Sequence, residues 1–188
     1  MNVFDFDNTI YRGESFVDLF VMMLGKDPSL LKNIPHMVSG VAKYKLGTLR
    51  LESALQQYAG IFEDYVVTVP DIDAVVTEFW DKHIHKIKPF YEKVRSEDDL
   101  VISASPEIVI AEVCRRLGIK SYIGTQFNLQ TGKLGRVCFR ENKIEAFYEA
   151  YPDAHIDCLY TDSMHDKPLM DISDKVYFVK GNKISRIK

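Results

Sequence analysis

Hydrophobic positions along this chain change period twice. Val3-Phe4-Asp5-Phe6 reads as a short strand ending in acidic residues. From about residue 14 the spacing lengthens. Phe16, Leu19, Phe20, Met23 and Leu24 recur at i, i+3, i+4, i+7 and i+8, one face of a helix closed by Gly25. Pro28 and Pro35 punctuate the next stretch, and Leu51, Leu55, Tyr58, Ala59 and Phe62 make a second helical stripe. Ile72, Val75, Val76, Phe79 and His83 make a third, behind the helix-start signal Pro70-Asp71. Residues 12–95 therefore read as all-helical.

Strand-like runs then return. Leu100-Val101-Ile102 is a short buried strand, followed by Ser103-Ala104-Ser105-Pro106-Glu107. A serine N-cap at Ser105, proline at the first helical position and an adjacent acid predict a helix start there. That helix buries Val109, Ile110, Val113 and Leu117 and stops at Gly118. Further strands are predicted at 121–123, 156–160, 176–179 and 184–187, the last two joined by Gly181-Asn182. A helix is predicted over 143–151, and a turn between two strands at 130–133. Strands alternating with helices predict right-handed crossovers and a parallel sheet. The helical block interrupting that alternation predicts an insertion, with residues 1–11 and 96–188 as the α/β core and 12–95 as a helical cap.

Composition narrows the partners. The 188 residues suit one sizeable domain or a core plus a modest inserted subdomain. A net charge of −3 with scattered basic residues gives no reason to expect nucleic acid or an anionic membrane as partner. No apolar run approaches the roughly 20 residues that span a bilayer, and the N-terminus lacks the basic-then-apolar order of a signal peptide, so a cytoplasmic location is expected. Cys114, Cys138 and Cys158 lie far apart, without a CxxC, and are expected to be reduced packing residues. His83 and His85 sit in a helical stretch far from the acidic clusters and are not expected to bind metal.

Four clusters carry candidate chemistry. Asp5-Phe6-Asp7-Asn8-Thr9 places two carboxylates at the carboxyl end of the first strand, where an α/β sheet gathers its ligand site. Ser103 and Ser105 stand between a strand and a helix N-terminus, a setting that offers N–H groups to a phosphate. Lys143 lies early in a helix. Asp162-Ser163-Met164-His165-Asp166 is a second acidic strand end, followed by Asp171 and Asp174.

In that order and spacing the chain resembles the haloacid dehalogenase-like hydrolase superfamily, specifically its phosphoserine phosphatase-like branch. The resemblance implies an α/β, Rossmann-like parallel sheet core with helices on both faces and an inserted α-helical cap. It implies Asp5 as nucleophile, Asp7 as general acid and base, Ser103 as a hydrogen-bond donor to the phosphoryl oxygens, and Lys143 as the neutralising cation. It further implies Mg²⁺ held by Asp5, Asp162 and a main-chain carbonyl near Asp7, with Asp166 as ligand or supporting group. Two positions depart from the usual pattern: Thr161 stands where a glycine is usual, and Asn8 where glycine or serine is common.

The expected substrate is a small phosphorylated metabolite. Glu14 occupies the place of a glutamate that meets the substrate ammonium in phosphoserine phosphatases, although a first-turn glutamate also suits the helix dipole. Ser105 and Arg12 are further substrate-binding candidates, and Lys43, Lys45 and Arg50 offer other cap cations. Two alternatives remain open on the sequence: a phosphomutase using the same nucleophile, and a receiver-like phospho-acceptor domain without enzymatic turnover.

Overall fold

In the computed structural model, residues 1–29 and 69–188 are described. The expected helix over 51–62 and the cations Lys43, Lys45 and Arg50 lie outside them. The chain begins with β1 (Asn2–Phe4), continues into α1 (Ser15–Lys26), and returns as α2 (Ile72–His83), a 3-10 turn (Ile84–Lys86) and α3 (Tyr91–Val94). Then come β2 (Leu100–Pro106), α4 (Glu107–Leu117), β3 (Ser121–Thr125), α5 (Glu141–Ala150), β4 (Ile156–Thr161), a 3-10 turn (Met164–Asp166), α6 (Lys167–Ile172), β5 (Ser173–Lys180) and β6 (Lys183–Arg186).

The six strands form one sheet in the order β3-β2-β1-β4-β5-β6. β1 to β5 run parallel, and β6 closes the edge antiparallel. The chain runs outward from β1 through β2 to β3, then crosses to the other side of β1 for β4 and β5. A crevice opens at the carboxyl ends where the direction reverses, between β1 and β4. Asp5 follows β1 there, its N–H bonded to the Tyr160 carbonyl at 2.9 Å.

Alternation along the strands builds two cores, because successive side chains point to opposite faces. Phe4 and Val101 join a cluster with Leu19, Val76, Phe79, Trp80 and Val113. Val3, Leu100 and Ile102 join Phe147, Leu169 and Met170 on the other side. Helices α1, α2 and α4 thus cover one face, and α5 and α6 the other, the doubly covered sheet that the resemblance implied. Phe4, Tyr160 and Tyr177, register partners on β1, β4 and β5, stack in a row at 4.5 and 4.8 Å. Trp80 sends its indole N–H to the Val109 carbonyl at 2.8 Å and packs edge-on to Phe6 and Tyr11, so α2 is fastened both to α4 and to the loop after β1.

Most expected elements are present with shifted ends. Asp71 caps α2 by accepting from the Ala74 N–H at 2.9 Å, and Gly118 ends α4 in the left-handed region at φ +70°. α1 runs one residue beyond Gly25. Two local expectations need correction. Ser105 does not cap α4: β2 continues to Pro106, and the Ser105 hydroxyl is drawn to an aspartate instead. The 130–133 turn exists, but the segments flanking it meet only through a single bridge between Phe127 and Leu134 rather than as strands. All three cysteines are free, with Cys114 and Cys138 buried. Among the described residues no helix is long and apolar enough to cross a membrane.

Candidate active site

The residues singled out in sequence from four distant segments meet at the carboxyl ends of β1, β2 and β4. Lys143 extends from the first turn of α5 and is almost completely buried, with its ammonium 2.9 Å from Asp5 Oδ1 and 2.7 Å from Asp166 Oδ1. Phe147, one turn further along α5, is buried in the core beneath the sheet and fixes the helix face that aims Lys143. Burial works against the lysine charge, but Asp5 and Asp166 outweigh it and hold it firmly protonated.

Asp5 and Asp7 occupy different surroundings. Asp5 has a cation beside Oδ1, and Thr9 donates its hydroxyl to Oδ2 at 3.2 Å. Among the described residues Asp7 meets neutral donors only: the Ser15 N–H at the start of α1 at 2.6 Å, the Ser105 hydroxyl at 2.6 Å and the Ser103 hydroxyl at 3.4 Å. Ser103 in turn accepts from the Ser105 N–H at 3.0 Å, and the hydroxyls of Ser15 and Ser105 lie 3.0 Å apart. Desolvation raises the pKa of both acids. It is opposed by Lys143 at Asp5, where Asp166 and Asp7 push upward again, and by the serine donors at Asp7.

Asp162 completes the crevice. The Thr9 hydroxyl reaches it at 3.5 Å, as the alternative to Asp5, and burial raises its pKa, with Asp166 pushing the same way. Asp166 is held from both sides, by Lys143 on one oxygen and by the Thr161 hydroxyl on the other at 2.8 Å. Thr161, where glycine was expected, therefore has a positive task.

Asn8 also explains itself. It sits at φ +55°, a left-handed conformation that glycine adopts freely and asparagine tolerates best among the others. Lys88 donates to its carbonyl, and its own amide donates to Glu14 Oε1 at 2.6 Å. Although Glu14 reaches solvent at the N-cap of α1, its carboxyl is pushed up to about 7, by lost hydration first and then by the charges of Asp7 and Asp162. Arg12 stands at the rim, lining a cleft with Asn8, Lys88 and Asp162.

Sequence reading left Thr9, Ser15 and Lys88 without roles. Thr9 lay inside the first acidic motif and could have been weighed there. A lone serine and a lone lysine carry no such signal; only the fold brings Ser15 to Asp7 and buries Lys88.

The donor set fits a hard divalent cation. Asp5, Asp162 and the main chain at Asp7 offer oxygen only, the ligands Mg²⁺ prefers. Asp5, Asp7, Asp162 and Asp166 outnumber the buried lysines Lys143 and Lys88 near them, and this excess of negative charge contributes to the upward shifts of Asp5 and Asp162. Asp166, with both oxygens engaged, could act on such an ion through Lys143 and Thr161.

The fold and the sequence both have relatives. Among solved structures the chain matches a protein of unknown function from Bordetella pertussis Tohama I with a TM-score of 0.72 and 19% identity, over 91% of this chain and 85% of that one. It matches a phosphoserine phosphohydrolase-like protein from Francisella tularensis subsp. tularensis SCHU S4 at 0.63 and 19%, over 94% and 86%. A phospho-aspartyl intermediate analogue of phosphoserine phosphatase matches at 0.58 and 18%, over 93% and 83%. At these identities the likeness is one of fold. Comparison with curated proteins gives no match. The family model for haloacid dehalogenase-like hydrolases matches residues 3–171, nearly the whole chain, and with the acidic, serine and lysine groups gathered at one sheet end, this chain belongs to that family of hydrolases.

Proposed function

We propose that this protein is a Mg²⁺-dependent phosphatase that hydrolyses a small phosphate monoester through an aspartyl-phosphate on Asp5. The observation that carries the reading is the contrast between two neighbouring acids: Asp5 is paired with the buried Lys143, while Asp7 is held by neutral donors.

A phosphate dianion repels an incoming carboxylate. When bound, Mg²⁺ supplies the positive charge that lets the two approach. Lys143 stays protonated and stabilises charge on the transferring group without itself donating a proton. Asp5 attacks phosphorus in line, the ester P–O bond breaks, and Asp7 delivers its proton to the departing alkoxide. Asp7, now a carboxylate, takes a proton from water as that water attacks the phosphorus of the aspartyl-phosphate. The bond to Asp5 breaks, phosphate leaves and the starting state returns. Burial, only partly offset by Ser105 and Ser15, keeps the Asp7 proton available for the first half of this cycle.

Ser103, Ser105 and the helix-end N–H groups would border the phosphoryl oxygens, and Glu14 and Arg12 the leaving group. Residues 12–95 would make up the inserted cap unit. The fold likeness to phosphoserine phosphatase supports this reading of the site.

The decisive measurement is phosphate release from an aryl phosphate by wild type and Asp5→Asn. Wild type is expected to turn over with Mg²⁺ and to stop with a chelator, and Asp5→Asn to be inactive with an unchanged circular dichroism spectrum. Residual wild-type turnover in that variant would sink the covalent route.

A further inference from the structure

Beside the catalytic carboxylates lies a cleft of about 490 Å³ whose polar lining is Asn8, Arg12, Lys88, Asp162, Lys180 and Asn182. Its charge is unusual for the rim of an acidic site. Three cations from separate segments face it: Arg12 from the loop after β1, Lys88 from the return into α3, and Lys180 from the end of β5. Among the described residues Asp162 is the single carboxylate in that lining, and it is also a candidate ligand of the divalent ion.

Arg12 and Lys180 are solvent-exposed, and among the described residues no carboxylate pairs with either. Lys88 is buried to 3% exposure, spends one hydrogen bond on the Asn8 carbonyl, and feels the attraction of Asp162 more strongly than the repulsion of Arg12. Asp162 offsets one of the three cations, and an anion entering the cleft would meet the other two, Arg12 and Lys180. The backbone beneath these side chains is fixed. The Arg12 N–H bonds the Lys86 carbonyl at 3.0 Å, the Lys88 N–H bonds the Ile10 carbonyl at 2.8 Å, and Lys180 pairs with Lys183 across the tight Gly181-Asn182 turn.

The cleft is also joined to the chemistry. Asp162 belongs to both, and Thr9 links it to Asp5 through contacts of 3.5 and 3.2 Å. Resting on the phosphatase reading above, we propose that this cleft is a second anion subsite. The preferred substrate is then a phosphate monoester bearing a further anionic group, a carboxylate or a second phosphate, held by Arg12 and Lys180. Lys88 fixes the turn at Asn8 and adds to the field. The phosphoryl group to be cleaved sits at Asp5, and the second anion points toward the β5–β6 turn.

Three matched esters test this at fixed ionic strength: propyl phosphate, 3-phosphooxypropanoate and propane-1,3-diyl bisphosphate. Wild type is expected to prefer one of the two doubly anionic esters over propyl phosphate by about tenfold or more in kcat/KM, the size of one charge-assisted hydrogen bond. Which of the two leads identifies carboxylate or phosphate as the partner. Lys180→Met and Arg12→Met are each expected to shrink that ratio, mainly through KM. Lys180 is exposed at a strand end, so its variant keeps the fold. Equal rates on all three esters in wild type overturn the subsite, as does an equal loss on all three in both variants, which would mean that the cations serve only the cleaved phosphoryl group. Failure to hydrolyse these esters and an aryl phosphate alike overturns the phosphatase reading and the subsite with it.

Discussion

Asp5 and Asp7 stand two positions apart, yet the chain sends them to opposite helical layers. Asp5 meets Lys143 from α5, on one face of the sheet, and Asp7 meets the first N–H of α1, on the other. Among the described residues one acid therefore feels a full charge and the other only dipoles, the difference that the proposed nucleophile and acid call for. Burial still pushes Asp5 up to about 8, against its anionic form. The Ser105 hydroxyl favours the charged form of Asp7. Ser105→Ala is expected to raise the Asp7 pKa further, so the alkaline limb of the pH–rate profile, set by loss of that proton, moves to higher pH. The turnover number is expected to fall roughly tenfold as the carboxyl loses its orientation. A limb that moves to lower pH would show that Asp7 is not the acid.

At the scale of elements, the close meeting of β3 with α4 shapes the serine segment. A methyl group placed on Gly124 would lie 2.6 Å from the Glu107 Cα, nearer than atoms pack. Just beyond it, the Thr125 hydroxyl donates to the Ala104 carbonyl at 2.6 Å, between the two site serines. Gly124→Ala is expected to destabilise the protein by about 1–3 kcal/mol, as overpacking does, and to lower kcat beyond what the loss of folded protein explains. Urea unfolding with parallel kinetics checks both. Within α4, Glu112 is gripped by Arg115 and Arg116, whose hydrogen bonds hold its carboxyl near 2. A depressed carboxylate stabilises the fold fully above its ordinary pKa and loses that contribution as pH falls through its folded value. Glu112→Gln is thus expected to destabilise the fold at pH 7 by at most about 1 kcal/mol, read as a lower urea midpoint, and to match wild type as pH falls toward 2. The helices and strands were legible because hydrophobic period and terminal signals are local. The Asp71 cap and the Gly118 stop needed no tertiary knowledge. Ser105 misled because its capping signature is equally local, whereas the stronger partner, Asp7, arrives from 98 residues away in sequence. Gly124 gave no signal, since its need for bareness depends on where another element passes.

The whole molecule is arranged around the reversal of strand order between β1 and β4, which carries Asp5 and Asp162 to adjacent strand ends. Four acids crowded there exceed the charge of Lys143, which pairs with two of them, and the excess weakens the folded state. Mg²⁺ at a hundredfold its Kd is therefore expected to stabilise the protein by about 2.7 kcal/mol, read as a rise in Tm, and Asp162→Asn to lose most of that rise. An equal shift in that variant would place the ion elsewhere. Another consequence is optical. Trp80 is the sole tryptophan of the chain, buried, hydrogen-bonded, and wedged against Phe6 and Tyr11 on the loop that carries the acids. Its fluorescence consequently belongs to one indole in one apolar setting, at the joint between the loop after β1 and α2. Emission colour and quenching will report that joint directly, without a label and without competing signal from another tryptophan.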